Sequence, residues 1–324
     1  MVPLMTRPGF KPALLHPRYW LMWFGLGLLW LVVLLPYPLL LRLGRLLGWA
    51  MYLAMRERRE IARINLELCF PQWSAARRAA VLRENFASNG IALFEMAMAW
   101  WWPPRRLAKL ARIEGLEHLQ QAAAAGQGVV LMSLHFTTLE IGAALLGQRV
   151  TIDGMYREHR NAAFDYVQRR GRERHNADAI AVEREDVRSM LKSLRKGRGI
   201  WYAPDQDYGR KASVFVPLFG VTAATVTATA TFARLGKALV VPFTQTRLPG
   251  AQGYLLTVHP PLENFPMGDE EADALRINQW VEQQILLQPE QYMWVHRRFK
   301  TRPEGEPRFY PKRQRRKRRR RSAD

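Results

Sequence analysis

From Arg112 onward the chain alternates between helix-period segments and short apolar runs, a rhythm that few folds other than a mostly parallel sheet covered by helices can accommodate. A helix around Leu116 to Ala125 leads through Gly126-Gln127-Gly128 into an apolar run that begins at Val129. A second run, Val150 to Tyr156, precedes a helix opening at Asn161. Asp186 opens another helix before Gly197-Arg198-Gly199 turns into Ile200 to Ala203. Val226 to Leu235 reads as a small-residue helix, and Ala238 to Thr246 and Gly253 to His259 read as strands joined by a hairpin through Pro249-Gly250. Asp269 starts a further helix that reaches Leu287. The expected fold class is α/β, a mostly parallel central sheet flanked by helices.

Upstream of this region the pattern is helical. Arg56 to Leu68 forms an amphipathic helix ended at Pro71, and Ser74 caps another that runs toward Trp102 and closes at Pro103-Pro104. The apolar stripe of Ile91, Phe94, Met98, Trp101 and Trp102 reads as a core face, with a face lying against lipid as the alternative, and Glu95 within it is either solvated or the buried partner of a basic residue. Still earlier, Trp20 to Leu41 carries no charged side chain, and as one helix its 22 residues would span about 33 Å. With Trp20, Trp23, Trp30 and Tyr37 in it, the stretch is expected to be a retained membrane-anchoring helix kinked by Pro36 and Pro38, the alternatives being a helix that dips in without fully crossing and a buried core helix. Basic residues are denser after it (Arg42, Arg45, Arg56, Arg58, Arg59) than before it, which places the body on the cytoplasmic side. The chain then divides into an N-terminal segment 1–45, a catalytic domain 46–311 and a basic tail 312–324 expected to be disordered.

Charge narrows the partners. The chain has 49 basic and 28 acidic residues, and removing the run Lys312 to Arg321 together with Asp324 still leaves 40 against 27. Such a body suits an anion: nucleic acid, acidic lipid head groups, a phosphorylated glycolipid or an acidic carrier protein. The single cysteine, Cys69, excludes an intramolecular disulfide framework, and the seven histidines form no zinc-binding spacing, so no metal is expected.

The chemistry concentrates at Val129 to Glu140. The apolar run delivers His135 to a turn, and Thr137-Thr138-Leu139-Glu140 fits a capping box, predicting a helix from Thr137 through Glu140, Ile141, Ala144 and Leu145. A neutral imidazole there can take a proton from a hydroxyl, and Glu140 can fix its tautomer, giving a general-base dyad with no nucleophile of its own. The attacking group must then come from the substrate, which points to acyl transfer onto an alcohol. In the competing reading Glu140 only caps the helix and His135 is structural. A tetrahedral oxyanion would be met by backbone N–H groups near His135 or at the Thr137 helix start. Asp205 and Asp207, in the loop Pro204 to Gly209, follow a buried strand end at the edge where ligands bind open α/β sheets; loop capping is the alternative role.

The sequence His135-Phe136-Thr137-Thr138-Leu139-Glu140 resembles the H-x4-E motif of the late acyltransferases of lipid A biosynthesis, relatives of the glycerolipid acyltransferases. The block from Pro204 through Thr225 and the stretch Arg302 to Pro307 are similar to the same family, so the resemblance covers roughly Asn65 to Tyr310. It implies a fatty acyl chain, expected to be laurate, carried as an acyl carrier protein thioester, with no further cofactor. It implies as acceptor a hydroxyl on a 3-hydroxyacyl chain of a phosphorylated glucosamine disaccharide, in lipopolysaccharide biosynthesis at the bacterial inner membrane. His135 and Glu140 would be catalytic. Arg157 is the first choice for binding phosphate, because the glycerolipid relatives place an arginine in a comparable block, with Arg160, Arg169, Arg170 and Arg172 as lesser candidates. Asp205 and Asp207 would position Arg157 or hold a sugar hydroxyl. Two rivals stand beside this reading. One is a glycerolipid-type acyltransferase acting on a small phosphorylated acceptor, against which Glu140 and Asp205-Gln206-Asp207 count. The other is a membrane-tethered nucleic-acid-binding protein, which has the charge but no fold signature.

Overall fold

The apolar run at Val129 becomes the middle strand of a seven-stranded sheet in the computed structural model of the protein, which describes residues 9–156, 158–176, 178–179, 181–183 and 186–311. In chain order the strands are β1 (Ala111–Glu114), β2 (Val129–Met132), β3 (Ile152–Tyr156), β4 (Ala181–Glu183), β5 (Gly199–Tyr202), β6 (Ser213–Leu218), β7 (Val221–Val226), β8 (Leu239–Arg247) and β9 (Tyr254–Val258). The sheet order is β1-β9-β8-β2-β5-β3-β4, and every neighbouring pair is parallel except β8 with β9. The expected hairpin through Pro249-Gly250 supplies that exception. β6 and β7 stand apart as a two-stranded ribbon whose two-residue turn, Phe219-Gly220, has positive φ at both positions, the geometry that suits the twist of a hairpin.

The helices are α1 (Trp20–Val32), α2 (Tyr37–Ala54), α3 (Arg56–Cys69), α4 (Ala75–Trp101), α5 (Pro104–Ala108), α6 (Leu116–Ala124), α7 (Leu139–Gly147), α8 (Ala162–Glu173), α9 (Val187–Arg195), α10 (Ala228–Gly236) and α11 (Glu270–Leu287). Ser74, Asn161, Asp186 and Asp269 each cap a helix through a side-chain oxygen, as their positions in the sequence predict. All four residues of β2 are buried, and alternation sends them into two cores. Val130 and Met132 join Ile200, Tyr202 and Val240 on one face, while Val129 and Leu131 join Val241, Phe243 and Leu145 on the other.

The N-terminal apolar stretch departs from expectation. Trp20 to Leu41 is not one helix, because the chain leaves α1 at residue 33 and re-enters helix at Tyr37, with Pro36 as N-cap and Pro38 in the first turn of α2. The broken segment is held by the protein: Trp102 Nε1 donates to the carbonyl of Val33 at 2.6 Å and Arg106 Nη2 to that of Leu35 at 3.1 Å. Among the described residues no helix is long and apolar enough to cross a membrane, so the single spanning anchor is not found. The expected boundary after residue 45 falls inside α2, which is seated on α4. Gly44 and Gly48 face Gly90 there, and a Cβ on Gly48 would lie 2.2 Å from the carbonyl oxygen of Phe86. The outward side of α1 and α2 leaves Trp20, Leu21, Phe24, Leu46 and Trp49 exposed.

Glu95, the one acid on the apolar face of α4, is a buried partner. Its carboxylate accepts Arg247 Nε and Nη2 at 2.6 Å each and the Tyr254 hydroxyl at 2.7 Å, tying α4 to β8 and β9. The third guanidinium nitrogen of Arg247 donates to Ser88 Oγ, which is hydrogen-bonded at 2.7 Å to Thr137, two residues beyond His135.

Candidate active site

β2 carries His135 to the carboxyl edge of the sheet, and three neighbours hold the turn that follows. Gln245 of β8 donates to the carbonyl of Leu134 and its own carbonyl accepts the Thr138 hydroxyl. The segment 291–293 runs alongside: Met293 N–H donates to the His135 carbonyl at 3.0 Å and Thr137 N–H donates to the Gln291 carbonyl at 2.7 Å. The expected capping box does not form. Thr138, not Thr137, stands at the N-cap of α7, its hydroxyl is spent on Gln245, and the Thr137 hydroxyl is spent on Ser88. The N–H groups of His135, Phe136 and Thr137 all have acceptors within the protein, so the expected oxyanion donors near His135 are engaged elsewhere.

The imidazole finds its carboxylate on the neighbouring strand. Asp205 follows β5, which pairs with β2, and its carboxylate takes His135 Nδ1 on Oδ1 at 2.6 Å and the His135 backbone N–H on Oδ2 at 3.0 Å. Burial alone would raise the Asp205 carboxyl, but the charge of His135 and its two hydrogen bonds outweigh that cost and hold it below the usual carboxylate range. In the neutral ring, with Nδ1 as the nitrogen that donates to Asp205, Nε2 presents a lone pair. The His135 side chain keeps 20% of its surface open, and it lines a cavity of about 450 Å³. α7 contributes Leu139, Ala143 and Gly147 to the lining, and α8 contributes Gly171 and Arg172. Ile152, Met155 and Trp201 line it from the sheet, and Gln206 and Tyr208 line it together with His135. The cavity lining is predominantly apolar, with the His135 imidazole among its polar groups.

Glu140 lines the same cavity, but its hydrogen bonds go away from the ring. Arg172 Nε donates to Oε1 at 2.8 Å and Nη2 to Oε2 at 2.7 Å, and Trp100 Nε1 donates to Oε1 at 2.8 Å. Burial pushes the Glu140 carboxyl up, and the Arg172 charge, the hydrogen bonds and the nearby His175 more than reverse it, so it stays ionised. The hydrogen bond to the ring that was expected of Glu140 is made by Asp205, for which sequence reasoning expected a substrate-side role.

The remaining predicted residues separate. Asp207 faces the C-terminal segment: its carboxylate accepts the N–H and hydroxyl of Thr301 at 2.8 and 2.9 Å and the N–H of Gly209 at 2.9 Å. Its own N–H points to His296 Nε2, and burial, with Lys300 nearby, lowers that imidazole to about 4. Arg160 and Arg170 are exposed; Arg170 donates to the Tyr166 hydroxyl and does not line the cavity. Arg157 lies outside the described residues. Sequence reasoning assigned no role to Trp100 or the segment 291–293, and it offered Arg172 only as a lesser candidate for binding phosphate, not as the partner of Glu140. A tryptophan and an arginine on distant helices leave no local signal, though an acid in the apolar α7 sequence does signal a buried cation.

Comparison with known proteins bears on this geometry. Residues 7–301 match the family model described as bacterial lipid A biosynthesis acyltransferase. The chain is 48% identical over 304 residues to a lipid A biosynthesis lauroyltransferase of Escherichia coli (strain K12), covering 94% of this chain and 99% of that one. It is 45% identical over 302 residues to a palmitoleoyltransferase of the same pathway and organism, covering 93% and 98%, and 32% identical over 306 residues to a myristoyltransferase, covering 92% and 93%.

Proposed function

Because the chain belongs to the bacterial lipid A biosynthesis acyltransferases, we propose that it moves a medium-length acyl chain, laurate in the first instance, from acyl carrier protein to a hydroxyl of a 3-hydroxyacyl chain on a lipid A precursor. The observation that carries the mechanism is the 2.6 Å contact of His135 Nδ1 with Asp205 beside a mostly apolar cavity. Nε2 removes the proton from the acceptor hydroxyl as its oxygen attacks the thioester carbonyl, and the carrier thiolate leaves as the tetrahedral intermediate collapses. Asp205 is the positioning residue: it fixes the tautomer and stabilises the imidazolium formed during attack. The acyl chain lies in the cavity between α7 and α8. Laurate as the donor chain is supported by the 48% identity to a lauroyltransferase, and the carrier by the basic body of the chain.

The exposed apolar side of α1 and α2 rests on the membrane in the manner of an interfacial helix, with Arg18, Arg42 and Arg45 near the head groups. That arrangement brings a lipid-borne acceptor to the site without a spanning helix. The test of the reaction uses purified protein, lauroyl-acyl carrier protein and a tetra-acylated lipid A precursor. Wild type transfers laurate, and His135→Ala lowers the rate by about 10²–10⁴-fold; a variant with undiminished rate overturns the assignment of the base.

A further inference from the structure

The loop that follows β5 and the segment after residue 293 strap each other together at the carboxyl edge of the sheet, and two of the straps are cations. Lys300 Nζ donates to the carbonyl of Asp207 at 2.7 Å, and Arg210 Nη2 donates to the carbonyl of Arg302 at 2.7 Å. On either side of Asp207 in sequence stand Gln206 and Tyr208, which line the cavity with His135, and Asp205 holds the His135 ring. We propose that Lys300 and Arg210 form the subsite for a phosphate of the acceptor lipid, beside the base. This rests on the acyl-transfer reading above and gives the anionic part of its acceptor to two residues other than the arginines that sequence reasoning offered.

Three observations support the subsite. The first is a surplus of charge. The carboxylate that Lys300 approaches is Asp207, whose Oδ1 is 3.9 Å from Nζ and already accepts the Gly209 N–H and the Thr301 hydroxyl. Among the described residues Arg210 has no carboxylate partner, and the neighbouring Arg302 is matched by Glu306. Two cations therefore face one acid, although a strap to a carbonyl needs only a neutral donor. The second is fixed placement. Each head group is tethered by one hydrogen bond to the main chain, and Arg210 also lies 5.6 Å from the Phe215 ring, so both charges are held in place before a ligand arrives. Both remain reachable: 44% of the Lys300 side chain is accessible and Arg210 is exposed. The remaining ammonium hydrogens and the guanidinium fork are the donors that phosphate oxygens take. The third is nearness to the base. The Asp207 N–H points to His296 Nε2; burial lowers that imidazole, and the charges of Lys300 and of His135 both add to the effect, so the cation and the base share one neighbour.

Both substrates of the proposed reaction carry phosphate. On the acceptor, the phosphate and the attacking hydroxyl belong to one sugar unit and the acyl chain attached to it. On the carrier's arm, two amide units separate the phosphate from the sulfur. Cations that sit one loop turn from the base match the shorter of these separations, which assigns them to the acceptor.

The experiment uses the full-length protein, lauroyl-acyl carrier protein and two acceptors: the tetra-acylated precursor with its phosphates, and the same lipid with them removed. kcat/KM for each lipid is measured for wild type, Lys300→Met, Lys300→Arg, Arg210→Met and the double methionine variant. Equilibrium binding of both lipids in detergent micelles, without donor, is measured alongside. The subsite predicts that wild type prefers the phosphorylated lipid and that Lys300→Met and Arg210→Met each lower this preference about tenfold, through acceptor KM and acceptor binding. The double variant should lower it further, and Lys300→Arg should retain most of it. A preference that none of the methionine variants alters overturns the proposal. So does a rise confined to donor KM, which would give the cations to the carrier's arm, and so does an equal loss for both lipids, the mark of a purely structural strap. If Lys300→Met does not fold, Arg210→Met, whose side chain is exposed, is read alone by the same preference. Transfer of laurate to neither lipid by wild type would sink the acyl-transfer reading, and the binding preference would still decide the subsite.

Discussion

Asp205 reaches His135 twice, through the ring Nδ1 at 2.6 Å and through the backbone N–H at 3.0 Å, so one carboxylate fixes both the imidazole and the peptide that carries it. An isosteric amide at that position can no longer hold a negative charge beside the imidazolium and can turn its NH2 toward Nδ1, which selects the other tautomer. Asp205→Asn is therefore expected to fold normally by circular dichroism and to lose about 10²–10⁴-fold in kcat with little change in donor KM. A loss below threefold would make the contact structural only.

The Glu95–Arg247 pair tests the scaffold behind that loop. Glu95 is buried and the Arg247 side chain is 9% exposed, so removal of one charge leaves the other largely without compensation, a change that costs about 3–5 kcal/mol. Glu95→Gln is expected to lower the midpoint of urea unfolding accordingly. Because Arg247 also reaches Ser88 and, through it, Thr137, activity of the folded fraction should fall as well. Equal stability of variant and wild type would show that the network is not holding α4 to the sheet.

Local signals in the sequence anticipated local structure. Four helix caps and the strand ending at His135 follow from residues close in sequence, and the sheet class follows from the alternation of periods. The site was legible in part. Asp205 and His135 are 70 residues apart, and their meeting requires β2 and β5 to be neighbours, which periodicity alone does not say. Glu140 meets Trp100 and Arg172 across 40 and 32 residues for the same reason. In the uncharged stretch from Trp20, hydropathy sees only composition, whereas the break is stabilised by Trp102 and Arg106 donating to the carbonyls that the break leaves open.

The glycine seam between α2 and α4 gives a paired test. A methyl group at Gly48 would collide with backbone of α4, at 2.2 Å from the Phe86 oxygen, while a methyl group at Gly27 in α1 meets nothing within 4 Å. Gly27→Ala should be neutral or stabilise by up to about 1 kcal/mol, the difference in helix propensity. Gly48→Ala should instead destabilise by about 1–3 kcal/mol, the usual cost of overpacking. Matching unfolding midpoints for the two variants would contradict the seam.

The outer face of α1 and α2 is expected to hold the protein on lipid. Phe24 and Trp49 are both exposed, so acidic replacements disturb neither core, yet they place charge where apolar contact with the bilayer is needed. The double variant Phe24→Asp, Trp49→Asp should keep the thermal stability of wild type and lose co-sedimentation with anionic phospholipid vesicles. Unchanged sedimentation would remove this face from the membrane interaction.

His296 supplies a pH dependence whose sign can be worked out. Burial, with Lys300 adding to it, lowers its folded-state value from 6.5 to about 4, so between these limits the unfolded chain binds a proton that the folded protein refuses. Stability from this group is complete above 6.5, declines as the pH falls, and stops declining below about 4. The slope in that window is at most about 1.4 kcal/mol per pH unit. His175, also lowered by burial, acts in the same direction. The depressed carboxyls of Asp205 and Glu140 lose their contributions only at more acid pH, as it falls through their folded values. Urea unfolding of wild type should therefore weaken steadily from pH 7 to pH 5. His296→Gln, whose side-chain oxygen can still accept the Asp207 N–H, should show a shallower decline over the same interval. Parallel curves for the two proteins would mean that His296 is as free to take up a proton in the folded chain as in the unfolded one.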